Sequence, residues 1–154
     1  MYNVDFFSLA AKLFLKMVVN KCSEVKYSAS VQNESTPGRP LALIVDDEVD
    51  ICFLLKDILQ RKFESSSVTS LAEAKQYLQF HEPSVIFLDN KLSDGLGIDH
   101  IHCIKEQYPR TRIVMITAFD NFSERETALQ EGADYFINKP FSIKTILETV
   151  QTIR

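Results

Sequence analysis

The chain lacks several features that would mark it as a membrane, secreted or zinc-ribbon protein. Its 154 residues include no tryptophan and only three cysteines, none of them in the CxxC spacing of a structural zinc site. The longest mainly apolar run covers residues 6–19, fewer than the roughly 20 residues that a spanning helix needs. Asp5 is the only charge before this run, whereas a secretion signal begins with a basic segment. We therefore expect a cytoplasmic protein without a spanning helix.

The chain also lacks a surplus of basic residues. Five of its 17 Lys/Arg and three of its 21 Asp/Glu lie in residues 1–40, so residues 41–154 carry a net charge of −6. Neutralisation of phosphates by Lys and Arg supplies most of the affinity of nucleic-acid binders. The acidic balance therefore predicts no direct binding to nucleic acid.

Two regions differ in composition. Residues 1–40 form an N-terminal extension, in which residues 5–19 have the apolar spacing of an amphipathic helix and residues 20–40 form a polar linker that ends in Ser-Thr-Pro-Gly-Arg-Pro. A helix of this kind suits a membrane surface or a partner, and an extension without a role of its own is the alternative. We favour the extension without a role of its own, so a membrane role is not expected.

Residues 41–154 alternate between short apolar runs and helical periodicity. Three of the apolar runs are continuous and end in polar residues, which is typical of parallel strands buried on both faces. The pattern predicts strands at 41–46, 65–69, 85–89, 113–117 and 135–138, and helices at about 49–62, 71–80, 97–107, 122–131 and 142–153.

Capping residues support these boundaries. Ser70 with Glu73 resembles a capping box, Ser142 is suited to open the last helix, and Gly132 stands where a helix would end. Five strands, each followed by a helix, predict an open α/β sheet with helices on both faces. Ligands in such sheets bind outside the carboxyl ends of the strands.

Polar residues stand at four of these strand ends. They are Asp46, Asp47, Asp89, Thr117 and Lys139, and they should converge at one edge of the sheet. Three carboxylates there would repel one another at neutral pH unless a cation lies among them, so the pattern predicts a divalent ion, and an all-oxygen site suits Mg²⁺. A lysine and a hydroxyl beside them suit an incoming phosphoryl group.

This pattern resembles the receiver domain of two-component response regulators. The resemblance covers residues 41–154 and rests on the following matches in order: Asp46-Asp47, Asp89, the loop 89–97, Thr117-Ala118, Gly132-Ala133-Asp134-Tyr135 and Lys139-Pro140. It implies a flavodoxin-like (βα)5 fold, a doubly wound five-stranded parallel sheet with strand order 2-1-3-4-5.

The resemblance also implies roles. Asp89 would accept a phosphoryl group from a sensor histidine kinase or a histidine phosphotransfer protein. Asp47 and Asp89 would bind Mg²⁺ directly, Asp46 mainly through water, and Lys91 through its backbone carbonyl. Lys139 would pair with Asp89 at rest and afterwards with a phosphate oxygen. The chain would be a signalling phospho-acceptor and not an enzyme with a separate substrate.

Two further positions concern signalling. Thr117 would bind the phosphoryl group, and Phe136 matches an aromatic switch residue that turns inward with it. Phosphorylation would then change the face formed by the fourth helix, fifth strand and fifth helix, at roughly 122–153, and present it to a downstream protein target or an output domain. The resemblance also implies a cis bond between Lys139 and Pro140. Whether the chain forms a homodimer stays open.

Some positions depart from the family pattern. Ser93 stands where receiver domains usually have proline, which would loosen the loop after Asp89. Lys91 and Phe119, each two residues beyond a site residue, would flank the water that attacks the phosphoryl group. A long cation and a large ring there lead us to the hypothesis of slow dephosphorylation.

Other classes of function fit less well. A flavodoxin-like cofactor binder would need a phosphate-binding loop where residues 46–50 read Asp-Asp-Glu-Val-Asp, and these charges would repel a flavin phosphate. An aspartate-based phosphatase would favour Asp-x-Asp where Asp89-Asn90-Lys91 stands. A receiver that serves only as a constitutive interaction domain remains an alternative.

Overall fold

A computed structural model of the chain describes residues 38–118 and 122–153. The predicted extension at residues 1–40 therefore lies almost wholly outside the described residues. The described elements, in chain order, are β1 (Leu41–Val45), α1 (Val49–Leu59), β2 (Glu64–Val68), α2 (Leu71–Leu78), β3 (Val85–Asp89), β4 (Lys91–Leu92), β5 (Gly95–Leu96), a 3-10 helix (Gly97–His100), α3 (Ile101–Gln107), β6 (Arg112–Thr117), α4 (Phe122–Glu131), β7 (Tyr135–Asn138) and α5 (Ile143–Thr152).

The main sheet has five strands in the order β2-β1-β3-β6-β7, and every neighbouring pair is parallel. The short strands β4 and β5 form a separate antiparallel hairpin. If only the five strands of the main sheet are counted, this is the predicted order 2-1-3-4-5. The predicted flavodoxin-like α/β fold is confirmed.

The central strands are buried on both faces because helices cover each side of the sheet. In β1, Ala42 and Ile44 point to one face and belong to a core cluster that includes residues of α1 and α5. Leu43 and Val45 point to the other face and belong to a cluster that includes residues of α2, α3 and α4. The alternation of side chains along one strand thus divides the core into two layers.

Side-chain caps fix the starts of two helices. The Ser70 hydroxyl accepts from Glu73 N (3.2 Å), and the Glu73 carboxylate in turn accepts from Thr69 N (2.7 Å). At α5, the Ser142 hydroxyl accepts from Thr145 N (3.1 Å). Both predicted caps are confirmed, and each satisfies amide groups that have no partner within the helix.

Most predicted ends of the helices and strands match the structure, and the others differ by one to three residues. The predicted helix at 97–107 differs in kind, because it begins as a 3-10 turn before α3. Its first amides are bound outside the helix, Gly97 N to Asn90 O (2.9 Å) and Ile98 N to the Asn90 side chain (3.1 Å). No helix within 38–118 or 122–153 is long and apolar enough to cross a membrane.

A salt-bridge network at the amino-terminal ends of β6 and β7 joins three elements. The Asp134 carboxylate lies 2.5 Å from Lys105 Nζ and 2.7 Å from Arg112 Nη1, and it accepts from Ile113 N (2.9 Å). Burial of the Asp134 side chain would raise its pKa, but these hydrogen bonds outweigh burial, and the pKa of Asp134 lies below its usual value. The network ties α3 and β6 to the start of β7.

We predict that Asp134→Asn lowers the free energy of unfolding at pH 7 by about 2 kcal/mol, because the amide loses the charge-assisted bonds. A carboxylate with a lowered pKa stabilises the fold above its unfolded pKa, and this contribution disappears as the pH falls. Urea unfolding should therefore show that the difference from wild type shrinks below about pH 4. Glu148→Gln removes the same charge from an exposed pair with Lys144 and is the matched control. A deficit that does not change with pH would contradict this account.

Candidate functional site

Four strand ends meet at one edge of the sheet. Asp46 directly follows β1, Asp89 is the last residue of β3, Thr117 ends β6, and Lys139 directly follows β7. In the β3–β6 register, Asp89 lies opposite Ile116, which is the residue before Thr117. The parallel strand order therefore gathers at one edge residues that are far apart in the sequence.

The ammonium group of Lys139 is the centre of this edge. Its Nζ lies 2.8 Å from Asp46 Oδ2, 2.8 Å from Glu48 Oε1 and 2.9 Å from Asp89 Oδ1. The Lys139 backbone amide also donates to Thr117 O (2.7 Å), and the following peptide bond to Pro140 is cis. Lys139 is thus held through both its side chain and its backbone.

Two of the three carboxylates are almost fully buried. Asp46 is 1% exposed and Asp89 5% exposed, whereas the side chain of Glu48 is 62% exposed. Burial raises the pKa of Asp89 above its usual value, while the bond to Lys139 acts in the opposite direction. Burial would lower the pKa of Lys139, but its hydrogen bonds to Asp46, Glu48 and Asp89 raise it. Lys139 therefore stays charged at neutral pH, next to a carboxylate that burial disfavours as an anion.

The other predicted site residues surround this network. Thr117 is buried at the end of β6, and Asp47 is exposed in the loop after Asp46. Phe136 is half-buried on β7, where it packs against the second core cluster and lies 5.7 Å from the guanidinium carbon of Arg125. Phe119 lies outside the described residues.

The loop after Asp89 is fixed against the site. Lys91 N donates to Asp89 Oδ2 (2.6 Å), so the two oxygens of Asp89 have different partners. Asn90 is buried and accepts hydrogen bonds from the amides of Gly97 and Ile98. A Cβ atom at Gly97 would lie 2.3 Å from Asp89 O, so only glycine fits there.

Sequence reasoning missed two residues of this site. Glu48 contacts Lys139 directly, and Asn90 anchors the loop that carries Lys91. The position of Glu48 beside Asp46-Asp47 was a signal for the first. Nothing in the sequence distinguishes Asn90 from a solvated loop residue, because its role depends on which amides come within reach.

Comparison with known proteins identifies the family of this fold. A family model described as the response regulator receiver domain matches residues 42–151, which is most of the chain. The chain belongs to this receiver domain family. The response regulator protein PilR of Pseudomonas aeruginosa is 36% identical over 116 residues, which are 75% of this chain and 26% of PilR. The chain spans about a quarter to about half of the length of the curated relatives it matches.

Solved structures show the same fold. The beryllofluoride-activated receiver domain dimer of NtrC4 matches with a TM-score of 0.69 and 32% identity, over 72% of this receiver and 93% of that chain. A response regulator from Burkholderia pseudomallei, solved with a phosphorylated aspartic acid and a calcium ion, has a TM-score of 0.68 and 24% identity over 73% and 67% of the two chains.

Binding of Mg²⁺ is a family property of receiver domains, and the donor set of this receiver fits that ion. Within residues 38–118 and 122–153, no three acidic, histidine or cysteine side chains are gathered as a metal cage. Mg²⁺ does not require one, since it keeps several waters and is usually bound through one or two carboxylates. Asp47, Asp89 and the Lys91 carbonyl could hold such an ion directly, and Asp46 through water. Lys139 supplies one positive charge beside Asp46, Glu48 and Asp89, and the divalent ion expected from the sequence stays a prediction for this chain.

We predict that Lys139→Met destabilises the receiver at pH 7 by about 3 kcal/mol, because two buried carboxylates lose their cation. Without Lys139 the pKa of Asp89 should rise further. A carboxylate whose folded pKa is raised binds its proton more tightly in the folded state, so the deficit should shrink as the pH falls from 7 to about 4.5. Denaturant unfolding at both pH values measures this.

Lys144→Met is the matched control for this substitution, because the Lys144 side chain is 82% exposed. It should change the free energy of unfolding by less than about 0.5 kcal/mol at either pH. Equal losses for Lys139→Met at the two pH values would show that the buried carboxylates are not the cause.

Proposed function

We propose that this receiver domain accepts a phosphoryl group onto Asp89 from the phosphohistidine of a sensor histidine kinase or a histidine phosphotransfer protein. The observation that carries the proposal is the 2.9 Å contact between Lys139 Nζ and Asp89 Oδ1. It sets a fixed positive charge beside a carboxylate at the open edge of the sheet. The phosphorylated aspartic acid of the Burkholderia pseudomallei relative supports the same chemistry.

The transfer exchanges one bond to phosphorus for another. A carboxylate oxygen of Asp89 forms the new phosphorus–oxygen bond while the phosphorus–nitrogen bond to histidine breaks, and the leaving imidazole takes a proton. Lys139 would neutralise one phosphoryl oxygen and the Thr117 hydroxyl would donate to another. Bound Mg²⁺ would supply further charge neutralisation, which together with positioning is the main source of catalysis in phosphoryl transfer. In this proposal the chain is a phospho-acceptor and not an enzyme with a separate substrate.

The new phosphoryl group would compete for Lys139. Asp46, Asp89 and Glu48 all contact its ammonium group at rest, so it has to exchange at least one of them for a phosphoryl oxygen. Glu48 is the most exposed of the three and loses least when it is released into water. We expect Glu48 to leave first.

The output surface in this proposal is the face formed by α4, β7 and α5. Phe136 lies on β7 and would turn inward with Thr117. Three large apolar side chains on α4 and α5 are 42–56% exposed, namely Leu129, Ile143 and Leu147. Exposed apolar groups of this kind suit a protein partner, either a downstream target or an output domain. A homodimer would form through the same kind of exposed apolar side chains. Direct nucleic-acid binding and a membrane role are not part of the proposal. We expect the domain to act in the cytoplasm.

Intact-mass measurement after incubation with acetyl phosphate and Mg²⁺ tests the central step. We expect one phosphoryl adduct on the wild type, none on Asp89→Asn, and none when the metal is chelated. Asp99→Asn changes an exposed aspartate nearby and should keep the adduct. A wild-type chain that stays unmodified with Mg²⁺ present would rule out the proposal.

The phosphorylated form should lose its phosphoryl group slowly, because Lys91 and Phe119 would restrict the approach of water. Lys91→Ala and Phe119→Ala should each speed the decay by roughly three-fold or more. The decay is followed by the same mass measurement after the phosphodonor is removed. Lys75→Ala, an exposed lysine on α2, is the control. Decay rates equal to wild type in both variants would mean that these side chains do not shield the acyl phosphate.

A further inference from the structure

The segment after Asp89 is a small hairpin that begins at the site. Its strands β4 and β5 pair Lys91 with Leu96 and Leu92 with Gly95, which leaves Ser93 and Asp94 at the tip. The first residue of the hairpin contacts the site directly, because Lys91 N donates to Asp89 Oδ2. The position of this amide therefore depends on what restrains the hairpin.

The base of the hairpin is restrained by Asn90, whose backbone and side-chain oxygens bind the amides of Gly97 and Ile98. These bonds lie on the side of the hairpin that joins the 3-10 turn. A two-strand hairpin of this length is not stable by itself in water. A restraint at the tip is therefore needed to fix its far end.

Asp94 supplies that restraint. Its Oδ1 accepts from Leu71 N (3.0 Å) and its Oδ2 from Ala72 N (2.9 Å), so one carboxylate binds two successive amides at the start of α2. The capping box of α2 leaves these two amides to Asp94, because Ser70 binds the amide of Glu73. A negative charge at a helix N-terminus is also favoured by the helix dipole.

Two neighbours make this contact specific. Gly95 has a φ of 152°, and a Cβ there would lie 3.2 Å from the Leu71 side chain, so the hairpin turns tightly against the start of α2. Ser93, the other residue of the tip, has no ring that would limit its backbone freedom. The two hydrogen bonds of Asp94 are the described contacts that fix the tip to α2.

We propose that Asp94 is a positioning residue for the phosphoryl-accepting site. By fixing the hairpin tip to α2, it holds the backbone of Lys91, whose amide binds Asp89 and whose carbonyl would bind the metal. The inference rests on the proposed function. Asp94 itself touches neither Asp89 nor the reacting group, so its effect is transmitted through the backbone of residues 91–94.

The test compares Asp94→Ala and Asp94→Asn with the control Asp99→Ala. Asp99 is an exposed aspartate of the 3-10 turn, so its removal changes the net charge by the same amount close to the same loop. An asparagine at 94 keeps one acceptor oxygen and should preserve one of the two bonds. Its effects should therefore lie between those of alanine and wild type.

The first readout needs no metal. Hydrogen exchange of the Lys91 amide should become about ten-fold faster in Asp94→Ala, while amides in the buried strand β3 keep the wild-type rate. The second readout is phosphoryl uptake from acetyl phosphate as a function of Mg²⁺. The Mg²⁺ concentration for half-maximal rate should rise about ten-fold, and the rate at saturating Mg²⁺ should stay within about two-fold of wild type.

The outcomes separate this inference from the function on which it rests. If wild type is phosphorylated and Asp94→Ala matches Asp99→Ala in both readouts, the positioning role is wrong and the proposed function stands. The same holds if exchange rises equally in β3, because Asp94 would then only stabilise the whole fold. If wild type itself takes up no phosphoryl group at any Mg²⁺ concentration, the proposed function is wrong and the positioning role falls with it.

Discussion

Three carboxylates share the ammonium group of Lys139 at the edge of the sheet, and the site depends on this interaction. Asp46 and Asp89 are buried to a degree at which an uncompensated charge would be strongly destabilising, so both need a cation close by. Lys139 can provide it only because β7 lies next to β6 and ends beside Thr117. The charge balance of the site therefore depends on where β7 ends. The two core layers hold that strand in place.

Two parts of the structure position the groups of the site, namely the strands of the sheet and one restrained loop. The strands set the carboxylates and the lysine, because their registers are fixed by continuous burial. The loop after Asp89 has no such support, and it is held by Asn90 at its base, by Gly97 where the backbones approach each other, and by Asp94 at its tip. A site whose backbone groups bind a metal or a phosphoryl group needs this precision, since small displacements weaken both.

Sequence reasoning reached most of the fold and the centre of the site. Asp46, Asp89, Thr117 and Lys139 could be predicted because each ends or follows a strand, and parallel strands share one functional edge. It failed for Asn90 and Glu48, whose contacts depend on the path of a loop and on the reach of a side chain.

The sequence by itself determined the alternation of strands and helices, the caps at Ser70 and Ser142, and the polar residues at the strand ends. These features are local, since periodicity, capping and strand termination involve residues a few positions apart. Only the tertiary structure decided which of those residues touch. Lys139 and Asp46 are 93 positions apart, and their contact follows from strand order and register. The tip of the hairpin after Asp89 lies 22 positions from the α2 amide of Ala72, and only the packing of the second core layer brings them together.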